Sequence, residues 1–188
     1  MKAYTLEIAG LTRELPYVNI DDGLAFASFV VISDTELVSR VAPLLAEKIR
    51  KCDMIVTAEA KGIALAYEVS RCLGLKEFIV ARKSEKSYMK EALEVSVKSI
   101  TTASVQHLYL DGTDRKKLKD CDVCLIDDVV STGDSLAALQ DLVEKAGAKV
   151  TKKACILAEG EAAGREDLIY LEKLPLFRRK GNEYEVIE

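Results

Sequence analysis

The chain has 188 residues, 49% of them hydrophobic, enough for one compact domain with its own core and short for two. Its 27 basic and 31 acidic residues leave a formal charge of −4, so nothing global draws it to nucleic acid or an anionic membrane, and any basic site has to be local. No apolar run approaches the length of a membrane span, and the start "MKAYTLEIAG" lacks the charged-then-apolar signal pattern, which makes the cytoplasm the expected compartment.

The first thirty or so residues read as irregular, with a turn-like "NIDDG" at Asn19 to Gly23 and a short apolar run from Phe26 to Ile32. "SDTE" at Ser33 to Glu36 has the capping-box pattern, and Leu37, Val41, Leu44, Leu45 and Ile49 follow at helical spacing, predicting a helix of about four turns. "CDMIVTA" reads as a short buried strand, then "EAKG" and a second helix ending at Gly74. "EFIVARK" is a further strand. Residues 91–110 alternate roughly, as in "EVSVKSI" and "VQHLYLDG", which predicts an antiparallel excursion turned by Asp111-Gly112.

"CDVCLID" is the most apolar strand, followed by a helix from about Gly133 to Lys145, with Leu136, Leu139 and Val143 on one face and Gly147 past its end. "KVTKKACILAEG" gives one more strand, and the tail "RRKGNEYEVIE" reads as a solvated end. Strands alternating with helices predict an α/β fold, a parallel sheet flanked by helices. Five scattered cysteines do not make a disulfide framework. The Cys121 and Cys124 pair has C-x-x-C spacing but lies in a predicted strand, where residues three apart face opposite ways, so both are read as structural thiols. The lone histidine, His107, is read as structural, and Tyr67, Tyr88 and Tyr109 as packing residues.

The chemistry concentrates in "VCLIDDVVSTGDSLAALQ", Val123 to Gln140. Ligands of a parallel α/β sheet bind beyond the carboxyl ends of its strands, and Asp127 and Asp128 stand at such an end. The loop Val130 to Ser135 opens a helix whose unpaired N–H groups and positive dipole end favour a phosphate, with Ser131, Thr132 and Ser135 as hydroxyl donors. A carboxylate pair beside a phosphate cradle would repel the ligand unless its oxygens accept from sugar hydroxyls or hold a divalent cation. A phosphorylated ribose meets both demands; two solvated aspartates beside an ordinary helix cap are the plainer alternative. An ordinary P-loop is excluded, since no Gly-Lys-Ser/Thr is present.

"VCLIDDVVSTGDS" closely resembles the phosphoribosyl-pyrophosphate (PRPP) motif of type I phosphoribosyltransferases, and the resemblance extends from about Phe29 to Leu171. It implies the fold of that family: a parallel sheet flanked by helices, a small hood over the base site and a mobile flap, in a single domain with a core of about residues 34–158 and a hood from about 1–33 and 159–188. It also implies a pentosyltransferase reaction between PRPP and a purine base, with Mg2+ as cofactor, in a homodimer without nucleic-acid or membrane partners. Asp127 and Asp128 are the implied catalytic pair, with the metal held through PRPP and these two carboxylates. Ser131, Thr132, Gly133, Asp134 and Ser135 would bind the 5′-phosphate, chiefly through backbone donors, with the Asp134 carboxylate pointing outward.

"VTAEAKGIALA" looks like the family's pyrophosphate loop, assigning that role to Glu59, Ala60, Lys61 and Gly62. Close relatives bend this loop through a non-proline cis peptide, expected here at or near Glu59-Ala60. "ARKSEKSYMKEALEVSVKS" is similar to the basic segment and flap of the adenine and xanthine branches, which adds Arg82, Lys83 and Lys86 to the pyrophosphate contacts. The charges agree, because Lys61, Arg82, Lys83, Lys86 and Lys90 are a cationic concentration of the kind a pyrophosphate leaving group requires.

Ser131 stands where some guanine and hypoxanthine enzymes carry an aspartate, and Ile100-Thr101 stands where adenine enzymes carry a flap Glu-Tyr pair. The base would be covered by Phe29, Val30 and Val31 and by Glu159, which replaces a lysine that faces a purine carbonyl in the xanthine branch. A carboxylate repels an oxo group and accepts from an exocyclic amine, so adenine is the expected base, hypoxanthine and guanine stay open, and xanthine ranks last. A PRPP-sensing regulator is the alternative from another class, but the segment before the core is short and acidic for a winged helix. A PRPP synthetase usually needs a longer, duplicated chain.

Overall fold

The computed structural model describes residues 3–20, 23–98, 105–181 and 183–187. Its centre is a five-stranded parallel sheet in the order β10-β9-β8-β4-β5, formed by β4 (Met54–Ala58), β5 (Ile79–Ala81), β8 (Asp122–Val130), β9 (Lys149–Glu159) and β10 (Glu172–Leu174). β8 is the middle strand. Residues 123–126 on it have no exposed surface, as a strand covered on both faces requires. The α-helices α1 (Thr35–Ile49) and α2 (Ile63–Cys72) share one apolar cluster with Cys124, Ile126 and Ile156 of the sheet. α4 (Asp134–Lys145) packs with Val123, Leu125 and Cys155 in a second cluster.

The amino-terminal residues are not irregular. β1 (Ala3–Ile8), β2 (Leu11–Asn19) and β3 (Leu24–Ala27) form an antiparallel meander. The tail is not a solvated end either, because β11 (Leu176–Lys180) and β12 (Glu183–Ile187) complete a five-stranded sheet in the order β1-β2-β3-β11-β12. What joins these distant segments is aromatic: the Phe177 ring lies 5.2 Å from Tyr4 and 4.8 Å from Tyr17, and Tyr17 stacks on Tyr184 at 4.0 Å. Largely exposed strands hide this from a linear reading, since β2 and β11 each bury one residue and β12 none. Leu6, Ile8, Leu15, Ala25 and Ala27 then continue into the apolar cluster of α1 and α2, so the antiparallel sheet sits directly on the core.

Residues 93–110 form the expected antiparallel excursion, β6 (Leu93–Lys98) paired with β7 (Val105–Leu110). Asp111-Gly112 does not turn it. The Asp111 carboxylate accepts the Lys90 N–H at 2.9 Å and Gly112 N–H donates to the Lys90 carbonyl at 2.9 Å, so this pair clamps the base of the hairpin and opens the short helix α3 (Gly112–Leu118). A Cβ on Gly112 would come within 2.6 Å of the Lys90 oxygen, which explains the glycine. Ile100 and Thr101 lie outside the described residues, as do Asp21 and Asp22. Tyr88, 60% exposed, is not a packing residue, while Tyr67, 57% exposed, sets its ring edge-on to Phe78 at 6.3 Å. The cysteines are all free, with Cys52, Cys124 and Cys155 buried, Cys121 half-buried and Cys72 exposed. Among the described residues no helix is long and apolar enough to cross a membrane.

The cap of α1 is Asp34 rather than Ser33. Its carboxylate accepts the Leu37 N–H at 3.0 Å and also takes the Arg13 guanidinium from β2, at 2.6 Å from Nε and 3.0 Å from Nη2. Glu36, instead of closing a capping box, accepts from the same guanidinium at 2.8 Å. A serine hydroxyl could not accept a two-pronged fork and a backbone N–H together, so the carboxylate wins the position. Asp34→Ala should therefore destabilise the protein by about 1–2 kcal/mol, a fall in Tm of roughly 2–8 °C for a chain of this size. Arg13 and the Leu37 N–H hold the Asp34 carboxyl below its usual range, so this contribution is present at neutral pH and is lost as pH falls and the group protonates. Thermal melts at pH 7 that leave Asp34→Ala unchanged would contradict the tether.

Candidate functional site

The carboxyl ends of β4, β5, β8 and β9 converge on one mouth, and the opening motif occupies its centre. β8 continues through Val130, paired to β9 as far as Val130↔Ala158, so Asp127 and Asp128 lie within its last turn of pleat and not beyond it. The side-chain alternation of β8 slips there. Cys124 and Ile126 pack with the α1–α2 layer and Leu125 with the α4 layer, yet Val129 joins the first and Val130 the second. As a result both neighbouring carboxylates meet the loop after β4. Asp128 Oδ2 lies 3.3 Å from Lys61 Nζ, and Asp127 Oδ1 lies 3.4 Å from where a Cβ on Gly62 would stand.

Gly62 has no room for a side chain, since that Cβ would also fall 2.3 Å from Thr57 Oγ1. The loop Glu59 to Gly62 thus lies against the acid pair because its last residue is glycine. The peptide bond Glu59–Ala60 is cis, where it was expected. The Glu59 N–H donates to the Ala81 carbonyl at 2.9 Å, and its carboxylate accepts the Lys83 N–H at 2.9 Å and lies 3.3 Å from Arg82 Nη1. One acidic residue therefore ties this loop to the basic segment after β5. Arg82 also donates to the exposed Tyr88 hydroxyl at 3.2 Å, and its backbone bridges to Tyr109 of β7. Lys86 turns aside onto Ser84, 2.7 Å away.

The helix α4 starts at Asp134 after Gly133, whose φ of +85° is a left-handed conformation that glycine adopts without strain. Gly133 offers no side-chain cap, and the Asp134 N–H makes only a long 3.4 Å bond to the Thr132 hydroxyl. Ser131, Thr132 and Ser135 are exposed, and the backbone N–H groups of the first turn face the same loop, a ready anion cradle. The Asp134 carboxylate accepts the exposed Thr132 hydroxyl at 3.0 Å. The sequence reading also passed over Arg165, whose Nη1 would be 2.3 Å from a Cβ on Gly133. Its signal, an arginine some thirty residues from the motif, carries nothing until β9 and the 3-10 turn Gly160–Gly164 fold it back.

Of the residues expected around a base, Phe29 is 5% exposed and Val31 is fully buried, both in the α1–α2 cluster, while Val30 is 54% exposed and open to a ligand. Glu159, the last residue of β9, is half-buried, and loss of water pushes its carboxyl up while nearby Lys61 opposes the shift. Lys61 thus serves two acids, Asp128 and Glu159. His107 is remote from the loop cluster, paired with Glu94 across the β6–β7 hairpin.

The acid pair is the electrostatic centre of the site. Asp128 is 2% exposed and its Oδ2 has no hydrogen-bond partner, although Lys61 is within ion-pair distance. Asp127 Oδ1 accepts the Asp128 N–H at 2.9 Å. Withdrawal from water, and second the adjacent Asp128 charge, push the Asp127 carboxyl up to about 7. The site is acidic, half-neutralised, and holds an unsatisfied oxygen aimed at whatever binds.

Residues 33–174 match the phosphoribosyl transferase domain. The chain is 34% identical over 140 residues to the hypoxanthine/guanine phosphoribosyltransferase of Methanococcus voltae, an alignment covering 74% of this chain and 71% of the relative. Its fold is similar to the crystal structure of the adenine phosphoribosyltransferase of Thermoanaerobacter pseudethanolicus, with a TM-score of 0.67 at 20% identity over 85% of this chain and 95% of that one. It is also similar to the purine phosphoribosyltransferase of Pyrococcus horikoshii, at a TM-score of 0.54 and 27% identity over 74% and 85% of the two chains.

An unfolded aspartate ionises near pH 3.9, whereas folded Asp127 keeps its proton until near neutrality, so the ligand-free protein loses stability as pH rises through that window. Asp127→Asn should raise stability at pH 8 by roughly 1–3 kcal/mol and give no gain by about pH 4. Melting curves showing the same shift at both pH values would contradict this.

Proposed function

The chain belongs to the phosphoribosyl transferase family and is a pentosyltransferase acting on purines, and we propose a role for each part of its site. The 5′-phosphate of PRPP rests on the backbone N–H groups and hydroxyls of Ser131 to Ser135 at the head of α4. Asp127 and Asp128 accept from the ribose hydroxyls, and Lys61, Arg82 and the backbone of Lys83 face the pyrophosphate, with Lys86 swinging in from Ser84. A purine ring nitrogen attacks the anomeric carbon, the new C–N bond forms as the C–O bond to pyrophosphate breaks, and the purine proton leaves to solvent. The acid pair favours the positive charge that develops on the ribose, and the basic groups favour the departing anion. The observation that carries this reading is the buried Asp128 Oδ2, which has the Lys61 ammonium 3.3 Å away and no hydrogen bond, in the same motif as the exposed loop that opens α4.

The acid pair also fits Mg2+. A buried carboxylate oxygen that makes no hydrogen bond suits a hard cation, and because no cluster of three or more metal-binding side chains occurs among the described residues, the remaining ligands would be PRPP oxygens and water. Asp127 and Asp128 would hold it. When bound, the ion neutralises pyrophosphate charge.

Hypoxanthine or guanine is the first reading for the base, supported by the 34% identity to an enzyme of that name. Adenine, expected from Glu159, is the second. Burial raises the Glu159 carboxyl and Lys61 opposes the shift, so the half-buried carboxylate lies beside a cation that can itself face an oxo group. We further infer one phosphoribosyltransferase domain with residues 1–33 and 159–188 as its hood, the β6–β7 hairpin as its flap, and a homodimer on the family pattern. Initial rates with PRPP, Mg2+ and each of adenine, hypoxanthine, guanine and xanthine test the assignment: hypoxanthine or guanine should be fastest, and Asp127→Asn with Asp128→Asn should lower kcat at least roughly 1,000-fold while the fold persists. Near-normal turnover in the double mutant removes the ribose role. PRPP binding without turnover of any base favours a PRPP-sensing regulator.

A further inference from the structure

We propose that Arg165 is a specificity-determining residue for the 5′-phosphate and that Asp167 is the residue that positions it, an inference resting on the reading of residues 131–135 as the phosphate loop. Arg165 follows the 3-10 turn and lays its guanidinium on the open face of Gly133, with Nη1 at 2.3 Å and Cζ at 3.5 Å from where a Cβ would be. Gly133 is therefore glycine for two reasons, its left-handed φ and the room it leaves for a cation.

The guanidinium is aimed. Nε and Nη2 donate to the two oxygens of Asp167 at 3.0 and 2.9 Å, which fixes the plane of the group and uses one edge of the fork. Nη1, on the side toward the loop, has no acceptor among the described residues. Asp167 does not cancel the charge, because its Oδ2 also accepts from Lys153 Nζ at 2.8 Å, leaving the trio with one net positive charge. Lys153 is only 16% exposed on its side chain, so the trio is anchored in β9 and does not float in solvent.

The loop needs such a cation. Asp134 stands in the first turn of α4 and its carboxylate already occupies the Thr132 hydroxyl, so an arriving phosphate meets a negative charge and one donor fewer. The positive end of a helix is equivalent to roughly half an elementary charge, too little to offset a dianion and a carboxylate together. A fixed guanidinium with free N–H groups over the same glycine supplies the difference. It gives the site a means to tell a phosphorylated ribose from the bare sugar, while pyrophosphate binds separately at Lys61 and Arg82.

The test compares wild type, Arg165→Gln, Arg165→Lys and Asp167→Asn for binding of ribose 5-phosphate and, separately, of pyrophosphate, with KM for PRPP and for the base and with thermal melts to verify folding. Arg165→Gln should weaken ribose 5-phosphate and raise KM for PRPP by roughly 10–100-fold, the loss of a hydrogen bond to a charged group, while pyrophosphate affinity and KM for the base stay within about twofold. Arg165→Lys should recover part of the loss, and Asp167→Asn should show a smaller loss of the same selective kind. Unchanged ribose 5-phosphate affinity in folded Arg165→Gln, with wild type binding it, overturns the role of Arg165 alone, as does equal weakening of ribose 5-phosphate and pyrophosphate. Wild type that binds no ribose 5-phosphate overturns the reading of the loop and this inference with it.

Discussion

Two adjacent carboxylates at the end of the central strand, Asp128 buried and Asp127 half-buried, are the constraint around which this molecule is arranged. Such a pair is costly in isolation, and the Asp127 carboxyl, pushed up to about 7, registers that cost. The chain does not relieve it with a tight salt bridge. It supplies one ammonium, Lys61, which is half-exposed and shared with Glu159, and leaves Asp128 Oδ2 without a hydrogen bond. A pair that served packing would be fully matched; this one keeps capacity for a ligand with hydroxyls or a cation.

The surrounding fold follows from holding that pair in place. β8 is the middle strand, its apolar residues sealed on both faces, so the carboxylates stand at the end of a strand held by neighbours on both sides. The slip in alternation after Ile126 turns both toward the Glu59 to Gly62 loop, and the absence of a side chain on Gly62 lets that loop close in. Glu59 then carries the connection outward to Arg82 and Lys83. Acidic and basic halves of the site are thus linked through one loop, which gives a substrate bearing both a sugar and a pyrophosphate a single continuous surface.

The parallel core was legible because its strands and helices each announce themselves within a dozen residues: the apolar run into Asp127-Asp128, the Ser-Thr-Gly loop, and helices ending at Gly74 and Gly147. The outer antiparallel sheet was not. Its five short strands come from both ends of the chain and are joined by Phe177 against Tyr4 and Tyr17, a contact between residues 160 or more positions apart that no local pattern reports. The site divided along the same line. Residues contiguous with the motif stand out in the sequence, whereas Arg165, held by Asp167 and through it Lys153, needed the return of the chain through β9 to become a neighbour of Gly133. Asp34 displaced Ser33 as the cap for a similar reason, its partner Arg13 lying on a strand the local reading did not see.

The most direct test of the account is a crystal structure of the protein with PRPP and Mg2+ bound. The account predicts the 5′-phosphate against residues 131–135, the ribose hydroxyls within hydrogen-bond distance of Asp127 and Asp128, and the pyrophosphate between Lys61 and Arg82. A sugar phosphate bound elsewhere, with Asp127 and Asp128 out of reach of its hydroxyls and residues 131–135 free of phosphate, would contradict it.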